Sequence, residues 1–452
     1  MSTLVLKNFR LVDEVTDVCG SIIVKDGIIE EVYSANADDD VFDFNIAEKE
    51  IERAAHHADI VLDGSHFEQH DGLVLMPAFV DLHAHFRDPG FPEKETIESA
   101  CLAAAAGGYG TVVCMANTKP VTDTIVQAQS IKDRSDALGL IDLYPVLSLT
   151  KGMEGKELSE IILLKDNQNV SQVVRLLSED GKDVTDDALF LAAMTEACRT
   201  GIPVSCHCDL GGENNATKRA IELGEKASYA CQQSLRLHIA HVSTKEAAAM
   251  IREAKKNNNH NSKGAFSKTE VLKKPLMSCE VTPHHIALTE KDAAALGLES
   301  FGKVSPPLRN EDDRRALIEA IVDGTVNAIA TDHAPHTKTD KEQGAPGFTG
   351  LETAFAVCYS TLVVPEHISL SKLSSLMSAE PARILGLDRG KEARGRIVPG
   401  MRADFAIVDL SAAWIAEPSR FKSRGKNSPF ADKKLHCKIV LTIHNGLVYH
   451  LQ

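Results

Sequence analysis

No stretch of the 452-residue chain is apolar for long enough to cross a bilayer, which argues against membrane-spanning helices. Basic charge is not in excess either. The formal net charge is −15, which argues against a nucleic-acid or anionic-membrane surface. It leaves room for a small anionic substrate, because a few cations in a pocket act locally while a distant acidic surface is screened by salt. The opening "MSTLVLKNFRLVDEVTDVCG" has no basic stretch followed by an apolar core, so no secretory signal is expected. The ten cysteines follow no repeating spacing, which suits reduced thiols in a cytoplasm better than a disulfide framework. No internal repeat is present. What remains is an ordinary soluble composition, 43% apolar and 25% charged, in a chain long enough for one large domain and a smaller one.

The pattern along the sequence divides it in three. Short strand-like runs open it, "STLVLKNFRLVD" and "GSIIVKDGIIEEVY", the second with a Lys-Asp-Gly turn inside. Residues 35–60 are polar and acidic and read as an excursion from a sheet. From residue 78 the pattern becomes eight apolar runs: "AFVDLHAH", "GTVVCMAN", "IDLYPVLS", "SQVVRLLSED", "IPVSCHCD", "LRLHIAHVS", "LMSCEVTPHH" and "VNAIATDHAP". Helical stretches such as "ETIESACLAAAAGG" and "DDRRALIEAIVDG" lie between them. Strands alternating with helices indicate a parallel sheet, and eight of them predict an α/β fold of the (β/α)8, TIM-like barrel type. After residue 388 strand patterns return in "GRIVPGMRADFAIVDL" and "KLHCKIVLTIHNGLVYH". The expected organisation is therefore a barrel over residues 78–387, with residues 1–77 and 388–452 pairing into one small β-sandwich domain. The polar stretch 255–274, "KKNNNHNSKGAFSKTEVLKK", reads as an exposed loop.

Within the first barrel run, "VDLHAHFRDPG" sets His83, His85 and Arg87 at alternate positions. In a strand these would share a face. A buried Arg beside two imidazoles is costly without compensation, so a metal for the histidines and an anion for the Arg are expected. The rest of the sequence supplies matching residues at the carboxyl ends of the predicted strands: Asp180, His207, His241 and Asp332. Barrel enzymes build their sites at that face. Each residue alone has a bland reading, Asp332 for instance as a helix cap, but six coincidences at one end of one barrel are hard to dismiss. Four imidazoles and two carboxylates suit a pair of borderline divalent ions, zinc above all. Such a pair activates water and polarises a carbonyl. Asp332 would then serve both as ligand and as the base that returns a proton to a leaving atom. This chemistry hydrolyses, or in reverse closes, an amide-like bond.

The protein resembles the dihydroorotases of the amidohydrolase superfamily, most closely the longer bacterial type. The resemblance runs nearly end to end, through "VDLHAHFRDPG", "MANTKPVTD", "SEDG", "HIAHVST", "EVTPHH", "KVSPPLRNEDDR", "IATDHAPH", "GFTGLETAF" and "MRADFAIVDL". HxH alone is weak, whereas HxHxRDPG with NTxP and TDHAPH in this order is specific. The resemblance implies that His83 and His85, with Asp332, hold the more buried of two zinc ions. His207 and His241 hold the second. Asp180 is expected to bridge them, since the strand before it offers Arg175 rather than a lysine able to be carbamylated, and Lys182 lies beyond the turn. Arg87, Asn117 and His336 are expected to bind the ring carboxylate of the substrate. A forked guanidinium suits that anion.

The function so implied is reversible cyclisation of N-carbamoyl-L-aspartate to L-dihydroorotate in pyrimidine synthesis. The resemblance also implies a homodimer and leaves open an association with aspartate transcarbamoylase. Two other readings compete. A hydantoinase, allantoinase or dihydropyrimidinase would share the metal ligands but act on a ring without a carboxylate, leaving Arg87 and Asn117 unexplained. An inactive scaffold for the transcarbamoylase would be expected to have lost ligands, and all six are present. "MANT", "SEDG" and "HCDL" depart from the usual "MPNT", "SDDG" and "HCED", but none of these changes removes a candidate ligand. By strand parity Cys206, Cys208 and His238 are expected to turn away from the site, and His284 and His285 to support it from behind. The segment 336–350, "HTKTDKEQGAPGFTG", is expected to line or cover the pocket.

Overall fold

The structure, a computed structural model, describes residues 2–34, 44–66, 73–166, 170–260 and 274–449. The first strands, β1 (Thr3–Val12), β2 (Asp17–Lys25) and β3 (Ile28–Ser34), form an antiparallel meander. Asp26 and Gly27 turn β2 into β3 with φ of 48° and 78°, the paired positive values a tight hairpin needs. Helix α1 (Phe44–His57) and β4 (Ile60–Asp63) make up the excursion, and β5 (Leu73–Pro77) returns to the sheet; residues 35–43 of the acidic stretch lie outside the described residues.

The barrel follows. Its strands are β6 (Phe79–Ala84), β7 (Tyr109–Cys114), β8 (Asp142–Pro145) continued by β9 (Leu147–Ser148), β10 (Leu177–Ser178), β11 (Val204–Cys206), β12 (Arg236–Ile239), β13 (Leu276–Val281) and β14 (Ala328–Ile329). Every pair between neighbours is parallel. Val146 N–H bonds Cys114 C=O at 2.9 Å across the break in the third strand. The ring closes where Ala84 bridges His333 and His85 N–H donates to His333 C=O at 2.8 Å. β6 and β7 are buried at every residue, as strands covered on both faces must be.

Helices α2 (Ile97–Ala106), α3 (Ile125–Asp136), α4 (Asp187–Thr200), α5 (Glu213–Cys231), α6 (Lys245–His260), α7 (Pro283–Ala287), α8 (Glu290–Leu296) and α9 (Glu311–Val322) connect the strands. Their starts are fixed by local chemistry. Thr96 and Ser99 form a capping box on α2, Thr124 and Gln127 on α3, and Asn310 caps α9. Two expectations are corrected. Residues 255–260 complete α6 rather than belonging to the loop, and 261–273 lie outside the described residues. The fourth apolar run is a strand only at Leu177–Ser178, and the stretch before it carries short 3-10 turns where a helix was expected; Gly152 and Gly155 sit there at φ of 56° and 65°, which ordinary helix cannot accommodate.

The remaining strands, β15 (Phe405–Ile415), β16 (Lys434–His444) and β17 (Leu447–Tyr449), join the first ones. β15 pairs with β5, so one sheet runs in the order β17-β16-β15-β5-β1-β2-β3, with β4 beside β1. Leu6, Phe9 and Ile22 from the start of the sequence share one core with Phe405, Ile407 and Ile443 from its end. A buried network ties this sheet to the amino-terminal end of the barrel: Arg394 reaches both Thr111 Oγ1 and the Asp142 carboxylate, and Arg402 joins Asp142 at 2.8 Å to Asp404 at 3.3 Å.

Candidate active site

Each candidate ligand stands at, or within three residues of, the carboxyl end of a barrel strand. His83 is the last residue but one of β6, His207 follows β11 directly, and Asp180, His241 and Asp332 follow β10, β12 and β14 by two or three residues. Beyond a strand the backbone is free to bend. His241 has φ of 31° and Asp332 φ of 46°, left-handed values that cost a residue with a Cβ about 1–3 kcal/mol and collect where geometry is imposed by function. Arg87 is a correction of the same kind. Strand β6 ends at Ala84, and Arg87 sits beyond it with φ of 59°, so a backbone bend rather than strand alternation directs it.

All six candidate ligands meet. His83 lies centrally, its ring 4.8 Å from that of His207, 5.2 Å from His241 and 5.4 Å from His85. Asp332 Oδ1 is 3.2 Å from His85 Nε2 and 3.5 Å from His83 Nε2. Asp180 reaches one histidine of each expected pair, His207 Nδ1 at 3.1 Å and His85 Nδ1 at 3.3 Å. His207 Nδ1 is 3.1 Å from His241 Nε2. Nitrogen and carboxylate donors of His83, His207 and His241, and again of His83, His85 and Asp332, fall within 4.8 Å of one another.

The outer ring atoms decide which nitrogens are bare. His83 Nδ1–H donates to Glu280 at 3.0 Å, and His85 Nδ1–H to Asn117 Oδ1 at 3.0 Å. His207 Nε2–H donates to Ser178 Oγ at 2.7 Å, whose own hydrogen goes to Ser205 C=O. The inner nitrogens are thereby left as lone pairs, and His83 Nε2 is buried with no hydrogen-bond partner. Tautomers fixed from outside, lone pairs converging inside and two carboxylates between them fit divalent cations of the zinc type.

The charges agree. Burial would push the Asp180 carboxyl up, but His207, His85 and His83 outweigh it and hold it near 2. Burial likewise opposes ionisation of Asp332, and His83 and His85 bring it well below the usual range. Burial disfavours a charge on His83, but Asp332 and Glu280 raise it to about 10, so a cation taking the inner Nε2 displaces a proton that these carboxylates hold there. The cluster thus carries negative charge that calls for a cation.

Beside it lies a cavity of about 340 Å³, bounded by His85, Arg87, Asn117, Asp180, His241, Asp332, His336 and the turn Pro346–Gly347, among others. This volume suits a small ring. Arg87 Nε donates to Pro335 C=O at 3.3 Å, and its Nη2 is 3.3 Å from His336 Nε2. His336 Nε2 is also 2.9 Å from Pro346 C=O, to which it donates, while Nδ1 has no partner. Burial first, then Arg87, pushes His336 down to about 3, so its ring is neutral. Arg87 is the cation at this end of the cavity.

A family profile described as "Amidohydrolase family" matches residues 74–448. A dihydroorotase of Clostridium botulinum (strain Eklund 17B / Type B) is 35% identical over 454 residues, covering 98% of this protein and 98% of its own length. A dihydroorotase of Thermoanaerobacter sp. (strain X514) is 36% identical over 450 residues, 94% of this protein and 96% of its own length. The chain belongs to the dihydroorotases of the amidohydrolase family. Among solved structures, L-hydantoinase (dihydropyrimidinase) from Arthrobacter aurescens superposes with a TM-score of 0.79 over 100% of this protein and 98% of its own length, at 22% identity. That likeness bears on the fold, and it agrees with the barrel and the β-sheet that both ends of the sequence build beside it.

Several members of this family site were not legible as such in sequence. Asn117, expected only at the substrate, also joins the metal cluster: it accepts from His85 and donates from Nδ2 to Asp180 at 2.9 Å, with one amide hydrogen left over. Glu280, inside the "EVTPHH" run, is 1% exposed and holds His83 with one oxygen and His238 Nε2, at 3.0 Å, with the other. His238 therefore turns from the metal cluster, as parity required, yet braces it through Glu280. His333 Nε2 faces Glu95 at 3.3 Å and its Nδ1 accepts from Gly350 N–H at 3.1 Å, fixing the residue next to Asp332. His285 bonds Thr282 Oγ1 and Pro306 C=O, and His284 packs on Phe348. Cys206 and Cys208 lie in the apolar core, and all ten cysteines are free.

Proposed function

We infer that the protein is a dihydroorotase, which interconverts N-carbamoyl-L-aspartate and L-dihydroorotate. The observation that carries this reading beyond metal-dependent hydrolysis is Arg87, placed at the edge of the cavity beside His336 and Asn117. A ring carboxylate gives that guanidinium its counter-ion; an uncharged ring would leave it without one. The intact set of six donors speaks against an inactive scaffold.

His83, His85 and Asp332 would hold one zinc ion, His207 and His241 the other, with Asp180 between them. Two such ions activate water and polarise the carbonyl under attack. The protein's own residues do the rest. Arg87, with Asn117 and His336 beside it, orients the ring by its carboxylate so that the amide carbonyl faces the cluster. In hydrolysis Asp332, held ionised by its histidine neighbours, takes the proton from the attacking water and gives it to the departing ring nitrogen. In ring closure it runs the same transfer backwards. Pro346 and Gly347 line the cavity beside His336.

The test is turnover of L-dihydroorotate, with dihydrouracil, the same ring without the carboxylate, as comparison. Dihydroorotate preferred by a factor of about 100 or more would match the loss of a charge-assisted pair of ~3 kcal/mol. Equal turnover of the two would move the function to a neutral-ring hydrolase.

A further inference from the structure

The connection between β15 and β16 does not stay beside its own sheet. Residues 423–428 run along the outside of the loops that carry Asp332 and His336. Ser423 bonds Glu95, the partner of His333. Gly425 passes so close to Pro335 that a Cβ on it would lie 2.5 Å from the Pro335 Cβ. Asn427, buried at 7% exposure, then places its side-chain amide between two legs of the cavity wall. Its Oδ1 accepts from His336 N–H at 3.0 Å, and its Nδ2 donates to Ala334 C=O and to Gly347 C=O, both at 3.0 Å. The backbone carbonyl of Asn427 accepts from Thr349 N–H at 3.2 Å.

The two legs are those that form the anion end of the cavity. Residues 334–336 bracket Pro335, whose C=O receives Arg87 Nε, and end in His336; the other leg carries Pro346 and Gly347. A second buried group closes the turn from the far side: Lys341 Nζ, fully buried within α10 (Lys338–Glu342), donates to Lys303, Ala345 and Gly347 C=O at 2.8–3.0 Å. Gly347 itself has φ of 130° and no room for a side chain, since a Cβ would lie 2.5 Å from that of Ala334. The legs are pressed together and cross-linked by one amide from outside the barrel.

We propose that Asn427 is a positioning residue for substrate binding: it fixes the Ala334–His336 leg against Gly347 and so sets the place of His336 at the ring carboxylate. This rests on the carboxylate-binding reading given above. A side chain that acts in this way should govern KM for the anionic ring while leaving the metal cluster intact, and its effect should pass through His336.

The experiment compares wild type, Asn427→Ala, His336→Ala and the double variant in dihydroorotate hydrolysis, with metal content and thermal melting recorded for each. Asn427→Ala is expected to raise KM about ten- to a hundredfold, as misplacement of a substrate-positioning group does, with kcat changed less than KM and metal content as in wild type. In the His336→Ala background the same substitution should raise KM less than about twofold, the mark of two residues acting as one unit. Gly425→Ala, which presses on Pro335 without removing any Asn427 bond, should also raise KM, and it decides the matter if Asn427→Ala does not fold. An unchanged KM in folded, metal-loaded Asn427→Ala, or fully additive effects with His336→Ala, overturns the proposal. So does loss of metal with KM unaltered. Failure of the wild type to turn over dihydroorotate would instead overturn the functional reading beneath it.

Discussion

Replacing Glu280 by Gln tests whether the histidine cluster is preset for metal by its outer partners. The carboxylate is almost wholly buried, and it accepts from His83 Nδ1–H and His238 Nε2–H at 3.0 Å each, with His241 N–H 3.4 Å from the same oxygen as His83. Burial would favour the protonated acid, but the hydrogen bonds from His238 and His83 outweigh it and keep Glu280 ionised. A Gln of the same shape offers one acceptor and one donor, so one of the two histidines meets an N–H where it had an oxygen. If that histidine is His83, its proton moves to Nε2 and the inner lone pair is lost. Removing such an outer carboxylate typically weakens metal binding by about 10–100-fold, which corresponds to ~1.4–2.7 kcal/mol. The assay is metal content by elemental analysis after equilibration against a series of zinc buffers, with turnover measured at saturating zinc. The expected result is a shift of the binding curve by that factor, with activity largely recovered once zinc saturates. A curve superimposable on that of wild type would refute the idea that Glu280 sets the tautomer of His83.

Arg87→Ala should raise KM for dihydroorotate by about 100-fold or more, through loss of a charge-assisted pair, with metal content unchanged; equal losses for dihydrouracil would contradict its role. Asp332→Asn should lower kcat by about 10²–10⁴-fold, the range for removing a general acid/base, with substrate binding retained as measured by protection in equilibrium dialysis. The equilibrium itself should move with pH. Ring closure turns two carboxylates into one and consumes a proton, so between about pH 5 and 9, above the carboxylate pKa values, the ratio of dihydroorotate to N-carbamoyl-aspartate should fall about tenfold for each unit of rising pH. A ratio independent of pH, followed by chromatography of the equilibrium mixture, would exclude the reaction.

The barrel was legible because its strands are mostly buried, β6 and β7 at every residue, and read as apolar runs, with candidate ligand residues placed just after them. Termination was less so. The run "SQVVRLLSED" looks like one long strand, but only Leu177–Ser178 pair with neighbours, since pairing is decided by register with strands distant in sequence. Alternate spacing in "HAHFR" suggested a shared strand face for Arg87, whereas the strand stops at Ala84 and a left-handed residue does the aiming. The six candidate ligands could be picked out because imidazoles and carboxylates at strand ends are conspicuous. Their supports could not. Glu280 reads as one more residue of a strand, and its pairing with His83 spans 197 positions. Asn427 lies in an irregular stretch between β15 and β16, 91 residues from the His336 N–H it holds; no periodicity or short motif joins the two.

The binuclear site stands or falls on reconstitution of the chelator-stripped protein with zinc. Activity on dihydroorotate should be absent without metal and rise until about two equivalents are bound per protomer, as a cluster of four histidines bridged by Asp180 requires. Activity complete at one equivalent, or unaffected by stripping, would contradict it.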